Sequence, residues 1–165
     1  MYIGSSIGNF SPEEARTILR NLRSELRAGD ALLLGTDMLK DVATLVRAYG
    51  DIDGVTAAFN LNILRHLNRE LGEDFDTGCF RHRARWNRVQ SRIEMHLEST
   101  RDQCVNIPAA QPSIQFAAFE TIHTESSYKF TQKTLGALLD DAGFTIKQTW
   151  TDRRQWYALT LAGLR

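Results

Sequence analysis

The residues best equipped for chemistry lie between Phe119 and Phe130, which read Phe-Glu-Thr-Ile-His-Thr-Glu-Ser-Ser-Tyr-Lys-Phe. Two acids, a histidine and a lysine stand there among β-branched and aromatic residues. Alternation along an extended chain puts Thr121, His123, Glu125 and Ser127 on one side, and Ile122, Thr124, Ser126 and Tyr128 on the other. A carboxylate only accepts hydrogen bonds, whereas a hydroxyl both accepts and donates. Glu125 and Ser127, two residues apart, could therefore grip a small cationic or imidazole-bearing ligand. A solvated strand satisfies the same pattern, and spacing alone leaves both readings open.

Other polar residues are open in the same way. Asp37 and Asp41 follow the apolar run Ala31 to Thr36, and α/β proteins place ligand sites at the carboxyl ends of such strands. The same two acids also suit a turn and a helix cap. His66 sits on the polar side of a helical pattern and reads as a surface residue. Arg81, His82, Arg83, Arg85 and Trp86 combine basic and aromatic character, but the cluster is short and acids elsewhere balance it. Nucleic acid is not an expected partner.

The elements that must position these groups follow from pattern. Ser11-Pro12-Glu13-Glu14 is a helix start with an N-cap, proline in the first turn and a capping-box acid. Ala15, Ile18, Leu19, Leu22 and Leu26 keep helical spacing, and Gly29 is the expected stop. Ala31 to Thr36 predicts a strand buried in a parallel sheet, so Tyr2-Ile3, the helix and this strand form one crossover unit. A helix is expected from Val42 to Tyr49, then a turn at Gly50-Asp51-Ile52-Asp53-Gly54. Val55 to Leu71 predicts the strongest helix, with Phe59, Ile63, Leu67 and Leu71 on the apolar face. Asn60, Asn62, His66, Asn68 and Arg69 fall on the polar one. An acid at 74 or 76 is available to cap a short helix.

Ser91 to Ser99 alternates as a half-buried strand, with Ile93, Met95 and Leu97 inward and Arg92, Glu94, His96 and Glu98 outward. Cys104 to Ile107 reads as its partner, and Pro108 and Pro112 bracket a turn. Lys129 to Ala142 predicts a helix stopped by Gly143. Strands follow at Phe144 to Trp150 and Trp156 to Leu161, joined by the turn Asp152-Arg153-Arg154.

With 165 residues, the chain is long enough for one domain with a substantial core. Lys plus Arg and Asp plus Glu number 20 each, so net charge is zero and a broad phosphate-binding surface is not expected. Cys79 and Cys104 match no metal spacing or disulfide framework, and reduced thiols in a cytoplasmic protein are the default reading. No signal-peptide pattern or membrane-spanning apolar segment is visible, and no membrane partner is expected.

Read in order, several longer motifs carry a resemblance. They are Gly4-Ser5-Ser6-Ile7-Gly8-Asn9-Phe10, Leu34-Gly35-Thr36-Asp37-Met38-Leu39-Lys40-Asp41, Phe59-Asn60, Leu67-Asn68-Arg69-Glu70-Leu71, Arg83-Ala84-Arg85-Trp86, Ile93-Glu94-Met95 and Glu120 to Lys129. Together they resemble the C-terminal half of the histidine-specific S-adenosylmethionine-dependent methyltransferases, over essentially the whole chain. That family includes the ergothioneine-pathway L-histidine Nα-methyltransferase and fungal relatives acting on tryptophan derivatives.

The resemblance implies an α/β fold: the C-terminal part of a class I, Rossmann-like methyltransferase sheet with an inserted α+β substrate-binding lobe. Residues 1–40 and 131–165 would belong to the sheet core and residues 41–130 to the lobe. By resemblance Asn9 and Tyr49 hold the amino-acid end of histidine, Glu125 and Ser127 read the imidazole, and Met95 lines the same pocket. Gly4 and Ser5 would touch the cofactor, S-adenosylmethionine. No residue need act as a nucleophile, and no metal is implied.

Phe119 stands where the family usually carries glycine. No Gly-rich strand-loop-helix is visible among the 165 residues, and class I methyltransferases bind the cofactor with their first strands. Two functional readings follow. The chain is a methyltransferase polypeptide without its cofactor-binding half, inactive alone. Alternatively it is a non-catalytic binding or pairing module that self-associates, or takes an N-terminal partner, through an exposed sheet edge.

Overall fold

The computed structural model describes residues 1–2, 4–50, 53–108 and 113–165. Ile3 of the expected first strand, Asp51 and Ile52 of the expected turn, and Pro112 of the proline-bracketed turn lie outside the described residues. In chain order the elements are a 3-10 turn at Ser6–Asn9, α1 (Pro12–Glu25), β1 (Ala31–Asp37), α2 (Val42–Gly50), α3 (Val55–Leu71) and a 3-10 turn at Thr77–Cys79. Then come β2 (Phe80–Asn87), β3 (Arg92–Ser99), β4 (Gln103–Asn106), β5 (Ser113–Phe116), β6 (Thr121–Tyr128), α4 (Gln132–Asp141), β7 (Phe144–Thr151) and β8 (Tyr157–Leu164). The chain divides into two compact units. One comprises Met1–Asp41, Asn87–Arg92 and Ser126–Arg165, the other Val42–Trp86 and Ile93–Glu125.

The first unit is built on the sheet β1-β8-β7. The β1 strand runs antiparallel to β8, from Ala31 opposite Gly163 to Asp37 opposite Tyr157. Its parallel neighbour is Tyr2, whose N–H donates to the Leu33 carbonyl and whose carbonyl accepts from Gly35 N–H, each at 2.8 Å. The parallel sheet expected around β1 is thus parallel on one side only, because the terminal hairpin lays β8 along the other.

Ser11 starts α1 as its residue types require. Its hydroxyl accepts from Glu14 N–H, and Glu14 returns a bond to Ser11 N–H at 2.8 Å. The helix ends at Glu25, short of the expected Gly29. Leu26 turns extended and packs on the core, leaving Gly29, at φ +95°, to make the turn into β1. Ile7, Leu19, Leu34, Leu139 and Phe144 form the buried centre of this unit.

The start of α4 is also later than its pattern suggested. Thr131 caps the helix in a reciprocal pair with Thr134, so Lys129 and Phe130 stay extended. Phe130 then bridges Met38 in parallel: Phe130 N–H donates to the Asp37 carbonyl and Leu39 N–H to the Phe130 carbonyl. This bridge carries the end of β6 past the carboxyl end of β1.

The second unit holds α2, α3, the hairpin β4-β5 and most of the sheet β2-β3-β6. Its core gathers Leu64, Leu97 and Val105 around Phe75, Phe80 and Phe116, whose ring centroids lie 5.5–6.3 Å apart. Each such ring contributes roughly 1.5–3 kcal/mol when fully buried.

Three sequence expectations are corrected in this unit. The α3 residues Phe59 and Ile63 are exposed, whereas Asn60, read as polar surface, is 2 % exposed beside buried Leu64. The outward face expected for β3 is buried at His96 and Glu98 and half-buried at Arg92 and Glu94, because neighbouring side chains cover it: His123 stacks on His96, and Arg81, Arg83 and Arg85 close over Glu98. Finally, β4 pairs with β5, Gln103 opposite Phe116, rather than with β3. Phe119 adopts φ +70°, the left-handed backbone that glycine takes freely and phenylalanine takes with strain.

Candidate functional site

In the first unit, the carboxyl end of β1 gathers a charged cluster. Asp37 leaves the strand with its N–H donating to the Ser5 hydroxyl at 2.7 Å. Its carboxylate receives Lys40 Nζ at 2.5 Å on one oxygen and Lys129 Nζ at 2.8 Å on the other. The Lys129 side chain has no exposed surface, and its Nζ also donates to Ser127 Oγ at 2.8 Å. Ser127, the one buried position of β6, is thereby joined to Ser5 through Asp37 and Lys129.

Lys129 is the member of this cluster that helical reading concealed. The signal that could have exposed it is the Thr131-Gln132-Lys133-Thr134 cap, which starts α4 after Lys129 rather than before it.

Asn9 ends the first 3-10 turn and is exposed. That turn packs hard against the end of β6. A methyl group on Gly8 would lie 2.9 Å from the Tyr128 carbonyl, so only glycine lets the two backbones approach. Gly4, at φ +82°, donates its N–H to the Tyr157 hydroxyl at 3.2 Å and has open space where a side chain would stand. A ligand could approach the Gly4 backbone there, and Ser5 presents its hydroxyl at the same turn. A mainly apolar groove of about 380 Å³, walled by Phe10, Pro12, Tyr128, Phe130 and Leu138, lies nearby, and none of the expected site residues lines it.

In the second unit, Tyr49 closes α2, and its carbonyl accepts from His82 Nε2 at 2.8 Å. His82 Nδ1 meets the Asn60 amide at 2.9 Å, and the same amide donates to the His96 carbonyl at 3.2 Å. Met95 is buried, and its carbonyl accepts from the Thr124 hydroxyl at 2.9 Å. Glu125 is half-buried, and among the described residues no donor meets its carboxylate. It is therefore available as an acceptor.

The ring of His96 stacks on His123 with centroids 4.9 Å apart, and its Nε2 lies 3.3 Å from Glu94. Burial holds the His96 imidazole below its ordinary pKa, so the ring is neutral near pH 7. Arg81, Arg83 and Arg85, on one face of β2, all converge on the buried Glu98 carboxylate, at 2.5, 2.9 and 3.1 Å. Those bonds, Arg81 foremost, hold Glu98 below the usual carboxylate range. The basic cluster is thus engaged with an internal acid. Among the described residues, no group of His, Cys, Asp and Glu could hold a metal ion, and no helix is long and apolar enough to cross a membrane.

Comparison with known proteins decides the family. The family model for "Histidine-specific methyltransferase, SAM-dependent" matches residues 1–164. The chain belongs to this family. A histidine N-alpha-methyltransferase of Mycobacterium tuberculosis is 46 % identical over 162 residues, and that of Mycolicibacterium smegmatis is 45 % identical. Both matches cover 98 % of this chain and 50 % of the relative, so the chain spans about half the length of these curated relatives. The ergothioneine biosynthesis protein 1 of Neurospora crassa is 30 % identical over 155 residues, which are 92 % of this chain and 17 % of that protein.

Among solved structures, an S-adenosylmethionine-dependent methyltransferase from Clostridium acetobutylicum aligns at TM-score 0.50 and 8 % identity. It covers 98 % of this chain and 56 % of that one, a likeness of fold. The mixed α/β architecture is therefore that of a histidine-specific methyltransferase's C-terminal part. The matching stretch of the mycobacterial relatives is likewise one half of each protein.

Proposed function

We propose that this chain is the amino-acid-binding half of an S-adenosylmethionine-dependent methyltransferase that acts on the α-amine of L-histidine. The observation that carries this is the pairing, on β6, of an available carboxylate at Glu125 with the buried hydroxyl of Ser127 two residues on. Glu125 accepts a ring N–H, and Ser127 serves the other ring nitrogen. Asn9 and Tyr49 hold the amino-acid end, and Met95 lines the ring. The stretch Val42–Trp86 with Ile93–Glu125 is the inserted substrate lobe, and the sheet β1-β8-β7 with α1 and α4 is the methyltransferase core.

S-adenosylmethionine supplies an electrophilic methyl on a sulfonium. Gly4 and Ser5 give that cofactor only a rim, so its binding rests on a companion half. What the chain's own residues contribute is position: the α-amine must be neutral and in line for transfer, and no nucleophile or metal is needed. Ring-directed bonds give the discrimination, since an analogue lacking a ring nitrogen forgoes its bond to Glu125 or to Ser127.

Mass-spectrometric assay of methyl transfer from S-adenosylmethionine to histidine tests the reading. The chain alone should give no turnover, and co-expression with the cofactor-binding half of a mycobacterial relative should restore it. Turnover by the chain alone, or none in the reconstituted pair, contradicts it. The second reading, a pairing module, draws on the shortness of the parallel pairing beside β1, a single bridge from Tyr2 to Leu34. Light scattering that finds a monomer at every concentration contradicts self-association.

A further inference from the structure

We infer that Arg81, Arg83 and Arg85 form a binding site for a phosphoryl group, and that the ligand is a small phosphate monoester carrying a flat apolar ring. None of these residues is among the proposed histidine contacts. The three alternate along β2, so their side chains leave the strand on one face. All three reach the Glu98 carboxylate, which is 1 % exposed, while 52, 48 and 45 % of their own side-chain surface stays open.

Pairing Glu98 needs fewer cations than this. Arg83 Nη1 alone meets both carboxylate oxygens, at 3.2 and 2.9 Å. Arg81 adds two bonds to Oε1 and Arg85 adds one to Oε2, which fills the lone pairs of the acid. Three guanidiniums on one carboxylate leave this group two positive charges in excess. Among the described residues no other carboxylate pairs with them. Glu94, the other acid of β3, faces His96 Nε2 at 3.3 Å. Arg81 Nη1, Arg83 Nε and Nη2, and Arg85 Nε and Nη1 donate to no acceptor among the described residues. Glu98 holds each fork from the inside, so the outer donors are already set in place. Guanidinium forks match phosphate oxygens, and a dianion matches the excess charge.

Phe119 supplies the rest of the ligand's description. It keeps a strained φ of +70°, yet its side chain is 66 % exposed, and its ring centroid lies 5.8 Å from the Arg81 guanidinium carbon. An apolar ring held there is a shelf for a ring attached to the phosphoryl group. A nucleic-acid strand fits the patch poorly, because acids bound it past the end of β3. The Glu120 carbonyl accepts from Ser99 N–H at 2.8 Å, Asp102 accepts from Ala118 N–H, and Asp76 pairs with Arg101.

Calorimetric titration of the chain with phenyl phosphate, inorganic phosphate and benzoate tests this. Phenyl phosphate should bind saturably and about fivefold more tightly than inorganic phosphate. Benzoate, with its single charge, should bind about tenfold more weakly than phenyl phosphate. Arg81→Gln/Arg85→Gln leaves Arg83 on Glu98 and should weaken phenyl phosphate about tenfold. Phe119→Gly suits the left-handed backbone and should bring phenyl phosphate down to the affinity of inorganic phosphate.

No binding of phenyl phosphate at millimolar concentration, or an affinity unmoved by the arginine pair, overturns the inference. Equal affinity in the parent and in Phe119→Gly overturns the assignment of the ring. A single-stranded oligonucleotide that binds more tightly than phenyl phosphate overturns the small-ligand assignment. Circular dichroism monitors the fold. If the double variant does not fold, Arg85→Gln, which gives up one bond of 3.1 Å, is judged by the same criterion.

Discussion

The side-chain amide of Asn60 stands 2.9 Å from Nδ1 of His82, and this contact decides which nitrogen of that ring carries the proton. The amide nitrogen also faces the His96 carbonyl, which can only accept, so the group nearest His82 is the donating NH₂. His82 Nδ1 therefore accepts, and Nε2 keeps its hydrogen for the Tyr49 carbonyl. A residue of α3 thus orients a strand β2 histidine that in turn ties down the end of α2, where a proposed substrate contact lies.

Removal of that amide should be costly. Asn60→Ala leaves the His82 ring nitrogen and the His96 carbonyl without their donor in a buried setting. We expect a loss of about 2–3 kcal/mol. Urea unfolding should show a lower midpoint with an unchanged slope. A variant within about 0.5 kcal/mol of the parent would mean the network is not structural.

Glu98 gives a prediction of charge. Three arginines share its carboxylate, and their hydrogen bonds and charge, Arg81 foremost, hold its native pKa below the ordinary carboxylate range. A depressed carboxylate stabilises the fold above its unfolded pKa and loses that contribution as pH falls through the native one. Glu98→Gln should lower stability at pH 7 and flatten the acid limb of a stability-against-pH curve. Equal acid limbs for parent and variant would remove Glu98 from the account.

His96 works on a higher pH window. Burial, the leading cause, lowers its native pKa from 6.5. Below about pH 6.5 the unfolded ring takes a proton that the native ring resists, so the native state loses stability as pH falls from 6.5 toward the depressed value. His96→Phe should remove this dependence while keeping a ring against His123. Persistence of the same slope in thermal unfolding between pH 7 and pH 5 would assign it elsewhere.

What could be read ahead of the coordinates divides along physical lines. Local chemistry was legible: Ser11 to Glu14 carries its own cap, and Asp76 caps the Thr77–Cys79 turn through Gly78 N–H. Period was legible too, since α3 and β6 stand where spacing predicts. Which face is buried was not. The i, i+4 series Phe59 and Ile63 outweighs Asn60 on any hydropathy count, yet Asn60 is inside because its donors have partners that sequence cannot supply.

Glu98 read as solvated for the same reason, its three arginines being 13 to 17 residues away. Non-local pairing also hid the β4-β5 hairpin. Lys129 was hidden by helix propensity alone, until the Thr131 cap moves the helix start past it. Resemblance supplied Asn9, Tyr49, Met95, Gly4 and Ser5, for which spacing held no signal.

The central claim is that Glu125 and Ser127 form a reader of an imidazole ring. Calorimetric titration of the chain with L-histidine and L-tryptophan, repeated with Glu125→Ala, tests it most directly. The account predicts saturable histidine binding, at least tenfold weaker tryptophan binding, and loss of the preference in the variant. Equal affinities for the two amino acids, or a histidine isotherm unmoved by Glu125→Ala, would contradict it.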